Sequence, residues 1–233
     1  SVDFGYDSLP ASEGGGSSYL SYLYAKKQGD QTLYVGANDG MLHAFDAKTG
    51  AERFAFIPDG VINNLKYLAD PTYPANHKYF VDGPVHYSDV YLGGAWKSYL
   101  VGATGAGGRS LFALDVTNAA SFTSSNIKWE FTHADLGYTL SRPVIAKMAN
   151  GRWAVVTGNG PDSSSGMAKI FVIYLDAGLS DTNGWDSGSD YCVLSTDSAT
   201  SNGMGSPTVI LSDTGTAEYI YAGDLQGRMW RFN

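Results

Sequence analysis

The sequence predicts an all-β chain organised as a β-propeller with four recognisable blade repeats. One observation is a hairpin that occurs four times: an apolar pair, a glycine, a turn segment and an alternating strand. The copies run from Tyr34-Val35-Gly36 to Asp46, from Leu100-Val101-Gly102 to Asp115, from Val155-Val156-Thr157-Gly158 to Asp176 and from Tyr221-Ala222-Gly223 to Asn233, at intervals of about 60 residues. A second is the proline that opens an apolar stretch before three of these hairpins, in Gly83-Pro84-Val85, Arg142-Pro143-Val144 and Ser206-Pro207-Thr208. Proline is tolerated at the first residue of a strand because that residue need not donate to the ladder. The third is composition: 29 glycines and 16 tyrosines against only 16% charged residues suit short strands and tight turns, and disfavour long amphipathic helices.

Each unit therefore reads as an inner strand, a hairpin and a later outer strand, the last visible at Arg53 to Ile57 and at Lys128 to Phe131. Asn38-Asp39-Gly40 supplies hairpin chemistry, because glycine accepts the positive φ such turns need. Gln226-Gly227 and Ser165-Gly166 stand in equivalent places. Val61, Leu65 and Leu68 fall at helical spacing between Asp59 and Pro71 and predict a short helical insertion near 61–70. The Ser/Gly-rich stretch Ala11 to Ser18 reads as a flexible loop. Residues 1–233 read as a single propeller domain or a fragment of one, with both ends cut and the four blades belonging to a larger ring.

A formal net charge of −8, with no run of Lys and Arg, argues against nucleic acid as a partner. No apolar stretch is long enough to span a bilayer as a helix. Cys192 is the one cysteine, so a disulfide within the chain and cysteine-based zinc sites are excluded; it reads as a small hydrophobe. His43, His77, His86 and His133 have no metal-ligand spacing, and neither a Gly-x-Ser-x-Gly elbow nor a phosphate-binding loop is present, which points away from an enzyme. Trp96, Trp129, Trp153 and Trp230 read as packing between blades.

The run Tyr34-Val35-Gly36-Ala37-Asn38-Asp39-Gly40-Met41-Leu42-His43-Ala44-Phe45-Asp46 closely resembles the blade signature of the PilC/PilY propeller family. The likeness continues through Ile57-Pro58, Tyr79-Phe80-Val81-Asp82-Gly83, Gly158-Asn159-Gly160 and Tyr221 to Gly227. The resemblance implies a non-enzymatic protein exported to the bacterial cell surface, outer membrane or pilus tip. It also implies support of type IV pilus assembly or retraction, pilins or minor pilins as partners, attachment to host-cell or abiotic surfaces and, in some members, modulation by calcium. Two alternatives stand beside it: a scaffold propeller resembling the envelope lipoproteins of outer-membrane assembly, and a quinoprotein-dehydrogenase-like propeller. The latter enzymes stack their quinone on two adjacent cysteines, which a chain with Cys192 alone does not have.

Members of the family commonly carry an Asp-x-Asp-x-Asp-Gly calcium loop before the Tyr-Ala-Gly-Asp hairpin. The corresponding stretch, Ile210 to Glu218, keeps only Asp213 and Glu218 as carboxylates. Calcium takes six to eight oxygens, so this loop is a reduced candidate whose Asp-Thr-Gly core is also ordinary turn chemistry. The next metal candidates are Asp181, Asn183 and Asp186, in the acidic loop Asp181 to Asp190.

Overall fold

The computed structural model describes residues 3–177, 184–197 and 200–233, in which four antiparallel sheets follow one another along the chain. The first blade holds β1 (Thr32–Gly36), β2 (Leu42–Asp46) and β3 (Glu52–Phe56). The second holds β4 (Val85–Leu92), β5 (Ala95–Ala103), β6 (Ser110–Asp115) and β7 (Ile127–Thr132). β8 (Val144–Lys147), β9 (Trp153–Gly158), β10 (Lys169–Tyr174) and β11 (Tyr191–Ser195) form the third, and β12 (Thr208–Leu211), β13 (Ala217–Gly223) and β14 (Met229–Phe232) the fourth. Every blade is a meander, and the inner strands β4, β8 and β12 lie side by side. All four repeated hairpins are present, as β1-β2, β5-β6, β9-β10 and β13-β14.

Blades stack face to face because alternate residues of each central strand point to opposite neighbours. Leu42 and Phe56 of the first blade meet Leu100, Phe112 and Leu114 of the second. The opposite face of the second blade, with Val101, Ala113 and Phe131, packs on Val155, Phe171 and Ile173 of the third. Val156, Ile170 and Val172 then pack on Ile220 and Ala222 of the fourth. A strand between two blades is thus apolar on both faces, and all six residues of β6 and of β9 are buried.

Polar side chains at the hairpin ends and in the connections tie each blade to the chain leading to its successor. Asn38 accepts the Phe80 N–H through Oδ1 at 3.0 Å, the Thr139 hydroxyl accepts the Gly105 N–H at 3.1 Å, and Asn159 accepts the Met204 N–H at 2.9 Å. At this seam the connecting chains touch backbone to backbone: Gly137 donates to Asn159 C=O at 2.8 Å, and a Cβ on Gly137 would run into the carbonyl of Pro161. Gly137→Ala therefore forces the second and third blades apart and should cost about 1–3 kcal/mol, read as a lower denaturant midpoint at unchanged m-value.

The insertion is helical as expected: a four-residue helix, Asp59–Ile62, and two 3₁₀ turns, Leu65–Ala69 and Tyr73–Ala75, bury Val61 against the first and second blades. Two expectations change. The stretch read as a flexible loop forms a 3₁₀ turn, Ala11–Glu13, and leads into a helix of twelve residues, α1 (Ser17–Gln28), which buries Tyr19 and Leu23. In addition, only the second and third blades have four strands; the first has no inner strand and the fourth no outer one among the described residues.

Candidate functional site

Asp213 and Glu218 lie at the β12-β13 turn, but on different parts of it. Ser212 N–H bonds Thr216 C=O at 2.8 Å and Gly215 N–H bonds Ser212 C=O at 2.9 Å, which leaves Asp213 exposed at the tip. Glu218 is exposed on β13 at the bulge opposite Ile210 and Leu211. The neutral oxygens between them are engaged with one another: the Ser212 hydroxyl is 2.9 Å from that of Thr214 and 3.0 Å from that of Thr216. Among the described residues no three His, Cys, Asp or Glu side chains gather as a metal-binding group. Two separated carboxylates and a closed hydroxyl cluster do not fit the six to eight convergent oxygens of a calcium site.

Of the second acidic loop, Asp181 and Asn183 fall outside the described residues. Asp186 opens a turn closed on itself, its N–H held by the Asp190 carboxylate at 2.8 Å and its C=O by the Asp190 N–H at 2.9 Å. Cys192 is half-buried on β11, beside the core shared by the third and fourth blades.

The histidines differ in environment. His43 lies between Glu52, 2.6 Å from Nδ1, and Asp39, 2.8 Å from Nε2, and these carboxylates, Glu52 foremost, raise its pKa. His86 on β4 has a buried Nδ1 without a partner; burial, reinforced by the positive charge of Arg142, lowers its pKa from 6.5 to about 4. Above pH 6.5 the ring is neutral in both folded and unfolded chains and contributes nothing to the pH dependence. As pH falls toward 4, the unfolded chain takes up a proton that the folded one refuses, and roughly 3 kcal/mol of stability is lost. A His86→Leu variant should lose that much less than the parent between pH 6.5 and 4, and parallel stability curves would contradict this account.

The arrangement that sequence reasoning missed is the seating of residues 4–28 across the turns between first and second strands. Leu9 packs on Gly215 in the fourth blade, Glu13 pairs with buried Lys147 in the third, and Gly14 C=O accepts the Trp96 indole N–H at 2.7 Å in the second. Tyr6 stacks on Trp96 with centroids 5.7 Å apart and meets Trp153 edge-on at 5.0 Å, while Tyr19 tilts against Trp96 at 4.6 Å. Beneath these rings the Asp89 carboxylate, with no exposed surface, takes the Lys26 ammonium as its ion-pair partner. It also accepts the hydroxyls of Tyr19 at 3.1 Å and Ser98 at 2.9 Å. Burial first, and then the negative charge of Asp89, hold the Tyr6, Tyr22 and Tyr87 hydroxyls well above the usual phenol range. The hydroxyls and charges at this end of the arc are bonded to one another: Ser98 and Tyr19 to Asp89, and Tyr6 to Ser88.

One sizeable cleft, of about 640 Å³, opens between the first and second blades under α1 and is lined by Tyr22, Lys26, Tyr34, Arg53, Tyr87 and Thr117, among others. Burial pushes the Tyr34 hydroxyl up to about 12. Arg53 donates to the Asp46 carboxylate at 2.6 Å and to the Thr32 hydroxyl at 2.5 Å, so its charge is matched. No helix of the described residues is long and apolar enough to cross a membrane.

Comparison with known proteins accounts for the whole arc. A type IV pilus biogenesis factor PilY1 homolog of Xylella fastidiosa is 43% identical over 228 residues, 93% of this chain and 15% of the relative. PilY1 of Pseudomonas aeruginosa is 41% identical over 238 residues, 94% of this chain and 20% of the relative. The chain thus spans a fifth or less of the length of these relatives. The crystal structure of the P. aeruginosa PilY1 C-terminal domain superposes with a TM-score of 0.72 at 38% identity, covering 93% of this chain and 41% of that one. The sequence profile of the PilY1 beta-propeller domain matches residues 5–233, and the chain belongs to the PilY1 β-propeller family.

Proposed function

We propose that this chain is a non-enzymatic binding propeller of type IV pilus biogenesis, acting at the bacterial cell surface, outer membrane or pilus tip. The observation that carries the reading is identity of about 40% across nearly the whole chain to proteins named as type IV pilus biogenesis factors. The proposed partners are pilins or minor pilins, and the proposed roles are support of pilus assembly or retraction and attachment to a host-cell or abiotic surface. The chemistry of the arc agrees with binding: its charged groups are spent on seating residues 4–28 and on closing turns.

We leave calcium out of the proposed mechanism, because Asp213 and Glu218 are the only carboxylates of the stretch Ile210 to Glu218 and stand exposed at different places on its turn. Calorimetry on the chelator-treated chain should show no saturable binding up to millimolar calcium. A saturable isotherm abolished in both Asp213→Ala and Glu218→Ala would place an ion at this turn.

The pilus reading is tested by removing these residues from the full-length protein and counting surface pili, with pilin capture by the purified chain as the biochemical arm. Loss of pili with capture of pilins is the expected result. Normal piliation and no capture would leave a scaffold with another role in the envelope.

A further inference from the structure

Residues 59–80, which carry the chain from the first blade to the second, are anchored on the propeller by a few apolar side chains. Val61 and Phe80 have no exposed surface, the Phe80 N–H is held by Asn38, and Leu65 lies against Gly40 in the β1-β2 turn. Within the segment the Asp70 carboxylate accepts the Thr72 N–H and hydroxyl, each at 2.8 Å, and these bonds hold its carboxyl below the usual range. The outer side of the segment is thus presented on a fixed backbone.

That outer side joins aromatic rings to cations. The Lys66 and Lys78 ammoniums stand 5.3 and 5.6 Å from the centroid of one ring, that of Tyr67. His77 lies 5.4 Å from Tyr73 and 5.4 Å from Tyr79, edge-on to the latter, and the Tyr73 hydroxyl donates to the Lys78 C=O at 3.2 Å. Lys78 therefore links the two groups of rings into one surface. Tyr67 is 38% and Tyr79 52% exposed, and Lys66, His77 and Lys78 are exposed beside them.

The charges of this surface are unmatched. Lys26, Arg53, Lys147, Arg152 and Lys169 each pair with a carboxylate, whereas Lys66 and Lys78 have no carboxylate partner among the described residues. Asp70 is the one carboxylate between residues 60 and 80, and it is engaged with Thr72. Two like charges held at one ring repel each other, and an anion brought from outside relieves that repulsion. In a chain of formal net charge −8 the segment is a local positive patch.

We infer that this surface binds an acidic polysaccharide, a chain of sugars bearing carboxylates. Phenol and imidazole rings offer apolar faces to the C–H faces of pyranose rings and polar tips to their hydroxyls, and the two ammoniums meet the carboxylates. An acidic peptide is the poorer fit, because the segment is helix and 3₁₀ turn and offers no strand edge. Its N–H groups are bonded within it, Tyr67 to Asn64, Asp70 to Tyr67 and Tyr73 to Asp70. The inference gives the surface attachment proposed above its chemistry and rests on that reading. Pilus counts and pilin capture test the reading, whereas binding of a sugar tests this surface alone, so failure here leaves the role in pilus biogenesis standing.

Calorimetric titration of the chain with hexagalacturonate, with its fully methyl-esterified form and with hexaglutamate is the test. The uronate should bind saturably and more weakly as salt is raised, with affinity about tenfold lower for the uncharged ester and for the Lys66→Gln/Lys78→Gln double variant. Tyr79→Ala, which removes an exposed ring, should weaken the uronate about fivefold at an unchanged melting temperature. No binding at millimolar uronate, equal binding of the ester, or binding unchanged in the double lysine variant would overturn the proposal. Tighter binding of hexaglutamate than of the uronate would overturn it in favour of an acidic protein.

Discussion

Replacing Asp89 with alanine should destabilise the protein by about 3–5 kcal/mol, because it leaves the Lys26 ammonium beneath the N-terminal segment without its carboxylate. Asp89 is fully buried and the Lys26 side chain is 14% exposed, so neither charge is screened as a surface pair would be. Removal of Asp89 takes away the buried anion that faces Lys26 and the acceptor of the Tyr19 and Ser98 hydroxyls at once. Lys26→Met should therefore cost a comparable amount, now by leaving an anion among tyrosine rings. The double variant Asp89→Leu with Lys26→Met separates pairing from packing. It removes both charges at similar volume and should recover most of the loss, since a buried ion pair gains little over a well-packed apolar one. Denaturant titrations of the four proteins read this out as a coupling energy. Additive losses in the double variant would show that Asp89 acts through its hydroxyl donors and not through Lys26.

The blades were legible in the sequence because their signals are local. Gly40 has φ of 100° in the turn that Asn38-Asp39-Gly40 predicts, and the prolines at 84, 143 and 207 each stand just before an inner strand. The three-stranded first and fourth blades were not read from the sequence, in which each unit has the signals of a complete blade. The seating of residues 4–28 was not legible, because it depends on partners from about 60 to about 205 positions away in a blade order that periodicity alone does not supply. Helix α1 was hidden by the run of glycines and serines before it, and its buried residues Tyr19 and Leu23 fit a helix that acquires its apolar face only on docking. One signal was available: Asp89 interrupts the strand Val85 to Leu92, and a carboxylate on the inner strand of a blade requires a cation brought from elsewhere.

Trp96→Ala should lower stability by about 3–5 kcal/mol, and the loss should appear first at the N-terminal segment. The indole is the piece on which that segment rests: Tyr6, Tyr19 and Tyr91 lie 5.7, 4.6 and 5.5 Å from it by ring centroid, and Trp153 lies 6.3 Å away edge-on. Its removal opens a cavity among rigid rings that have no room to collapse, and it deprives the buried Gly14 C=O of its donor. Trp96→Phe divides the two effects. It keeps much of the stacking and loses the hydrogen bond, so it should cost about 1–3 kcal/mol. Limited proteolysis distinguishes local from global loss: cleavage within residues 10–16 should accelerate in Trp96→Ala while the β9-β10 hairpin stays resistant. Simultaneous cleavage at both places would mean that residues 4–28 and the blades unfold as one unit. In that case the segment is a part of the propeller core and not a strap laid across its turns.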